Sequence, residues 1–507
     1  MDGRLELVSR LIKEISATSS NLNHFQLKCI TPEIAHQFVN EFWVRLDDYQ
    51  LIHNDAAEIL AEQFGVLLLN GLTSLSDIAA SNLSQHTGSL CLNGLTNLNE
   101  AAAAAFGKRK YECLYLCGIK SLSDVAATAL ARGEGRLVLD GLTNLSNVAL
   151  TELAKHKGDL SLNGLTRLSD TAAIAFSQHK GMLYLNGLTS LSDTAATALS
   201  QRTGWLYLNG LTSLSDTAAT ALSQHTGWLH LDGLISLSDT AAAALAMHNG
   251  KGLSLNGLTK LSDFSVAALA QYKGKDLSLT GLTSLSDIAA SALAMHKGER
   301  LNLDGITKLS DFSATALAQY KGKFLSLKGL TSLSDIAANA IAQYKGSLTL
   351  DGITSLSDIA ASALAKQNGC LYLGGLTSIS ESVATALAQN KRSLVLKGVR
   401  TLSDVSAAAL AQQKGLLYLN GLTTISDFAA NALSGHKGKY LSLNGITKLS
   451  DLAAIALARY KGRLSLGRLR LKSLSDISTS AFAQYKGKSI LFAGLERIRS
   501  VDDTVIS

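Results

Sequence analysis

The sequence of 507 residues holds one proline, Pro32, where average usage near 5% would give roughly twenty-five. Pro-rich linkers and proline-set hinges are thereby excluded along almost the whole chain. Five cysteines, scattered over the length, are too few for a disulfide framework. Cys91, Cys113 and Cys117 fall on neighbouring strand-like stretches. Cys113 and Cys117 are about 13 Å apart along an extended chain, too far to chelate one metal together. Free thiols in a reducing compartment are the expectation. No run of eighteen apolar residues exists, so no membrane span is predicted. The opening MDGRLELVSRLIKEIS is charged throughout and lacks the apolar core of a signal peptide. Cytoplasmic residence is expected, with signal-less export as the other route. A net charge of +6 is modest for this length and implies no specific nucleic-acid partner. Walker, GxSxG and HExxH motifs are absent, so no enzyme activity, catalytic residue, cofactor or metal site is predicted.

What the chain has is a repeat. Residues 183–204 read LYLNGLTSLSDTAATALSQRTG and residues 206–227 read LYLNGLTSLSDTAATALSQHTG; they differ only at Arg202 against His225. Leu160, Leu183, Leu206 and Leu229 are spaced by 23 residues, and Leu253, Leu277, Leu301 and Leu325 by 24. A fixed period of this length marks a stack of small structural repeats. Within one repeat, Leu183, Leu185 and Leu188 begin in alternation, the mark of a half-buried strand. Gly187 sits where the backbone turns or a neighbour comes close. Ser192-Asp193 is a helix N-cap pair, TAATALS favours helix, and Gly204 is the predicted C-cap.

Such a repeat cannot bury its leucines alone, so copies must stack, with parallel strands joined by right-handed crossings. Strands repeat at about 4.8 Å whereas helices need about 8–10 Å, so the stack should bend with strands inside. The expected fold is α/β: a right-handed solenoid in an open arc, its parallel β-sheet concave and its short, Ala-rich α-helices convex. Roughly eighteen repeats would make a sheet on the order of 85 Å long.

The pattern LxLxGLTxLSDxAAxALA resembles the leucine-rich repeat, most closely its cysteine-containing subtype. Leu188 stands where that subtype has cysteine, Leu191-Ser192-Asp193 stands for I-T-D, and Ala195-Ala196 for G-L. The resemblance implies a binding scaffold and names no ligand. Many proteins of this subtype carry an F-box, which would make the chain a ubiquitin-ligase substrate adaptor; Thr31-Pro32-Glu33-Ile34 is a poor match to that motif.

Three regions are predicted. Residues 1–65 form an N-terminal cap, with an amphipathic helix over 1–17, degenerate repeats after it, and Trp43 packed at the first edge. Residues 66–495 form the solenoid. Residues 496–507 are a C-terminal tail. Two extra residues near Arg468, Arg470 and Lys472 predict a bulge or loop.

Candidate functional residues come from positions that break the repeat. The periodic Asp residues, such as Asp193 and Asp216, suit helix N-termini and read as structural. The periodic lysines, such as Lys321, Lys345 and Lys414, read as helix C-terminal partners that leave one basic rim. Histidines and tyrosines such as His225 and Tyr320 exchange at one place and read as amphipathic filler. On the strands, most residues between the core leucines are small, as at Ser254 and Ser442. One window differs: Met182, Trp205 and Trp228 form one row, Tyr184, Tyr207 and His230 the next, and Asn186, Asn209 and Asp232 the third. Thr203, Thr226 and Asn249 replace the rim lysines there. Trp and Tyr are enriched at binding hot spots, so this patch is the predicted protein- or peptide-binding site; duplication of one Trp and one Tyr would account for it equally. Tyr372, Leu416 and Tyr418 form a second patch. Binding of a glycan or polyanion, by the aromatics or the basic rim, is the alternative function. Rim-to-rim or end-to-end self-association is a third.

Overall fold

The computed structural model describes residues 27–41, 44–108, 110–469, 474–485, 487–492 and 498–499. The expected helix over 1–17, Trp43, Arg470, Lys472 and most of the tail lie outside these residues. The chain divides into two compact units, residues 1–142 and 143–507.

In the first unit, strands Cys29–Ile30 and Leu51–Ile52 pair in parallel around helix Pro32–Glu41, so the degenerate stretch keeps the strand-helix-strand plan. Strands Val66–Leu68, Ser89–Cys91, Lys110–Tyr115 and Glu134–Val138 then pair in parallel, each with the next. The second unit continues the plan. From Leu160–Ser161 to Ser489–Phe492, each strand pairs in parallel with its successor. Helices of seven or eight residues alternate with the strands, as at Asp193–Ser200 and Asp216–Leu222. Each unit is thus an α/β repeat solenoid of parallel strands and short helices.

The register puts like residues beside like: Leu183 pairs with Leu206, and Leu206 with Leu229. Leu183, Leu185, Leu188, Ala195, Ala196 and Leu199 are all wholly buried. Strand leucines and the small helix face therefore fill one continuous core between sheet and helices, which no single repeat could enclose.

Glycine works differently from the sequence expectation. The helix ends at Ser200 with Gln201 in right-handed conformation, so Gly204 is not its C-cap. Among the described glycines only Gly65 and Gly135 have positive φ. The other periodic glycines answer to close approach. A Cβ at Gly204 would lie 2.5 Å from the Gly181 carbonyl oxygen, and one at Gly210 only 2.2 Å from that of Asn186. Consecutive backbones come close at both rows, which favours glycine, although Arg392 stands in the Gly204 row.

Three polar ladders tie each repeat to the next. At the helix start, Ser192 Oγ accepts the Ala195 N–H at 3.0 Å and donates to the Asp170 carboxylate of the previous repeat at 2.5 Å. The periodic aspartates thus anchor the following cap serine as well as facing a helix N-terminus. At the strand exit, Asn163 Oδ1 accepts the Asn186 N–H at 2.9 Å, and Asn186 Oδ1 accepts the Asn209 N–H at 3.0 Å. Beyond the helix end, buried side chains reach the glycine row. Tyr272 Oη donates to the Gly250 carbonyl at 2.8 Å, and Arg202 Nη2 donates to that of Gly181 at 2.6 Å. These residues do not project to water as filler side chains would; they satisfy buried carbonyls.

The third ladder carries an electrostatic cost. Arg202 is 1% exposed, and burial lowers its guanidinium pKa to about 10. His179 and His225 flank it. Burial, with Arg202 and a second histidine adding repulsion in each case (His156 and His248), holds both near a pKa of about 4.

Two predictions follow from this packing. Gly210→Ala should lower stability in urea by about 1–3 kcal/mol through overpacking; an unchanged midpoint would refute the close-approach reading. The second concerns pH. The folded values of His179 and His225 lie below the ordinary 6.5, so folding favours the neutral rings. Stability should be full above about pH 6.5 and fall as pH drops, flattening near 4, with a slope up to about 1.4 kcal/mol per pH unit for each ring. Glutamine fills the same place at Gln367 and Gln413. His179→Gln/His225→Gln should therefore flatten the urea midpoint between pH 7.5 and 4.5. An undiminished pH dependence would show that other groups cause it.

Candidate functional site

The predicted patch lies on three successive strands, Leu183–Tyr184, Leu206–Tyr207 and Leu229–His230. In-register parallel pairing holds equivalent side chains side by side at about 4.8 Å, and rings at that spacing stack. Tyr184 and Tyr207 stack at 4.3 Å with planes 10° apart, and Tyr207 and His230 at 4.2 Å and 9°. Both faces of Tyr207 are thus covered by its neighbours. Trp205 and Trp228 meet at 5.1 Å and 31°, and the Trp228 and His230 rings lie 5.9 Å apart. Trp205 keeps 36% of its surface exposed, the most open ring of the group.

The pose of Trp228 is set by the next strand. Gly252 occupies the equivalent place on the next strand, and a Cβ there would lie 2.2 Å from Trp228 Cε3. The missing side chain leaves a shelf on which the indole lies. Met182 closes the other end: its Sδ accepts the Tyr184 hydroxyl at 3.4 Å, and its backbone N–H donates to Asp159 at 2.9 Å.

Asn186, Asn209 and Asp232 stand beside the rings, and each spends Oδ1 on the strand-exit ladder. Their first duty is to hold the strands in register. His230 Nδ1 is 4.0 Å from an Asp232 oxygen. Desolvation lowers the His230 pKa, and Asp232 partly opposes this. His230 Nε2 is buried without a hydrogen-bond partner among the described residues, an unmet polar demand beside three aromatic rings.

The small strand residues lie in register with the patch residues, and several spend their hydroxyls on neighbouring repeats. Ser254 and Ser442 are buried, and their hydroxyls donate to Asp232 at 2.5 Å and Asn420 at 2.7 Å. In the second patch, Tyr372 and Tyr418 are separated by Val395. Tyr418 instead meets Tyr440 at 5.2 Å, and Leu416 pairs between Ser393 and Tyr440. That patch is therefore Leu416, Tyr418 and Tyr440, with Tyr372 standing two strands off.

Sequence reading overlooked the position after the aspartate that opens each helix. Phe264, Ile288, Phe312, Ile336 and Ile359 occupy it on five successive helices, and all are more than half exposed. The signal was present in the repeat, where this place alternates between large apolar residues and Thr or Ser. All five cysteines are free, and burial raises the Cys91 thiol to about 11. Among the described residues, no helix is long and apolar enough to cross a membrane, and no group of three metal-ligating side chains occurs.

The architecture is a leucine-rich-repeat solenoid. No family model matches the chain, and no curated protein matches it. Among solved structures, it is similar to a leucine-rich-repeat protein of Leptospira interrogans, at 17% identity and a TM-score of 0.38, over 87% of this chain and 94% of that one. It is also similar to a chain in the Toll–Spatzle complex of Drosophila, at 13% identity and a TM-score of 0.35, over 76% of this chain and 54% of that one. These scores are low, and the architecture stands on the pairings and buried rows described above.

The shelf can be tested directly. Gly252→Ala should lift Trp228, weaken the exciton-coupled indole band in circular dichroism and shift Trp emission to the red. Unaltered spectra would mean that the indole does not depend on Gly252.

Proposed function

We propose that the chain is a non-enzymatic scaffold that binds a protein or peptide on the sheet face of its second unit. The cluster of Trp205, Trp228, Tyr184, Tyr207 and His230 carries this reading. Aromatic rings at a sheet surface supply large contact area at low entropic cost, and Trp and Tyr dominate binding hot spots. Mutual stacking covers the faces of Tyr207, so a partner meets the exposed flank of Trp205, the ring edges and the hydroxyls. That geometry favours an apolar anchor with hydrogen bonds over a sugar laid flat on a free ring. His230 Nε2, without a partner among the described residues, suits a hydrogen bond from a ligand that reaches between the rings.

Within this reading the repeat is closest to the cysteine-containing subtype, with buried Leu188 filling the place of the cysteine. Residues 1–65 serve as the cap, 66–495 as the binding solenoid and 496–507 as the tail. Five unpaired thiols fit a cytoplasmic setting.

The test uses peptides selected from a random library against the intact chain. Trp205→Ala/Trp228→Ala should weaken most of the selected peptides by about 2 kcal/mol or more, roughly thirtyfold in Kd, with the helical signal retained. Undiminished affinity across the selected set would remove the cluster as the binding site.

A further inference from the structure

Along the rim where each chain segment enters its strand, charge is unevenly distributed. In the earlier repeats acids interrupt it: Asp276 lies 3.6 Å from Arg300, and Glu299 pairs with Lys275 at 3.3 Å and Lys323 at 2.9 Å. From Lys321 onward the entering segments read YKGKF, YKGS, QNGC, NKRS, QKGL and HKGKY, without an acid. They line one groove that includes Lys321, Lys345, Lys391, Arg392, Lys414 and Lys439. Among the described residues, none of these six has a carboxylate within ion-pair distance. No basic residue falls in the last turn of the helices that precede them. The lysines are therefore not spent on helix dipoles, contrary to the sequence expectation, and are exposed.

We infer that this groove binds an acidic polysaccharide, a linear glycan bearing sulfate or carboxylate groups. Lys321, Lys345, Lys391 and Lys414 occupy one position of successive repeats, with Asn368 in the gap. At about 4.8 Å per strand the row spans about 19 Å. That spacing suits charges borne on successive sugar rings, and is shorter than the same-face repeat of an extended acidic peptide, about 6.8 Å. Ser347, Asn368 and Ser393 lie among the cations and can meet hydroxyl groups. Single-stranded nucleic acid needs ring faces on which bases stack. The groove offers only Phe324, and the Arg300 guanidinium already lies over that ring at 5.0 Å. The site is separate from the aromatic cluster: Phe324 is four strands beyond Trp228 in the same row.

Heparin, titrated against the full chain at several salt concentrations, is the probe. Lys345→Gln/Lys391→Gln/Arg392→Gln/Lys414→Gln should weaken binding by at least about thirtyfold and reduce the salt slope by about 3, as expected when four cations cease to displace counterions. A control with the same charge loss elsewhere, Lys157→Gln/Lys180→Gln/Lys251→Gln/Lys273→Gln, should change affinity by less than about threefold. Trp205→Ala/Trp228→Ala should leave heparin binding unchanged, which keeps this site's failure distinct from that of the peptide-binding face. Equal losses in groove and control variants would overturn the proposal, because net charge alone would then explain binding. So would tighter binding of oligo-dT or poly-glutamate through the same four cations, or heparin affinity unaffected by their removal.

Discussion

Contact between consecutive backbones governs the molecule. At the row of Gly204 and at the row of Gly210, the atom that a side chain would add falls inside a carbonyl oxygen of the preceding repeat. Strands then pair at full hydrogen-bonding distance, and the helices beyond them must also come close. Mostly small residues at the Ala195 and Ala196 positions leave room for that approach, with Leu150, Val266 and Val383 the larger residues found there. Substitution in either row therefore acts on the stack and not only on one turn.

Such close stacking makes like residues neighbours, and the polar ladders exploit this. A cap serine finds the aspartate of the previous repeat, and a strand-exit asparagine oxygen finds the next backbone N–H. A tyrosine, histidine, glutamine or arginine past the helix end finds a glycine carbonyl. The ladders at the strand exit and the glycine row satisfy part-buried or buried groups, whereas the serine-aspartate links of the cap ladder are exposed. The same juxtaposition has a cost where the ladder is basic, since His179, Arg202 and His225 come together in the interior with no carboxylate between them. It also explains the aromatic patch: equivalent rings on paired strands stack because the register leaves them nowhere else to go. Duplication and binding are compatible histories for that patch, since stacking follows from either.

Beside the ladders, several rows are exposed among the described residues: the strand-entry row around Trp205, the neighbouring row of Lys321, Lys345 and Lys414, and the apolar position after the first aspartate of the helices. Different stretches of one solenoid thus offer different chemistry while the core beneath them stays the same.

Period, element order, core leucines and cap serines could be read from the sequence, because each depends on local pattern repeated many times over. The aromatic window could be found too, since Trp and Tyr break a row of serines. Other features needed the fold. That Gly204 serves contact and not a helix cap, that Asn186 holds the next strand, and that Tyr207 has no free ring face all depend on the repeat before or after. The same is true of the lysines: local sequence placed them at helix ends, but only the observed termini show that they lie beyond the last turn and gather in a groove. The leucine spacing told that copies must stack; how closely they stack is a property of atoms some 23 residues apart, and that distance decided which side chains are structural and which are left to bind.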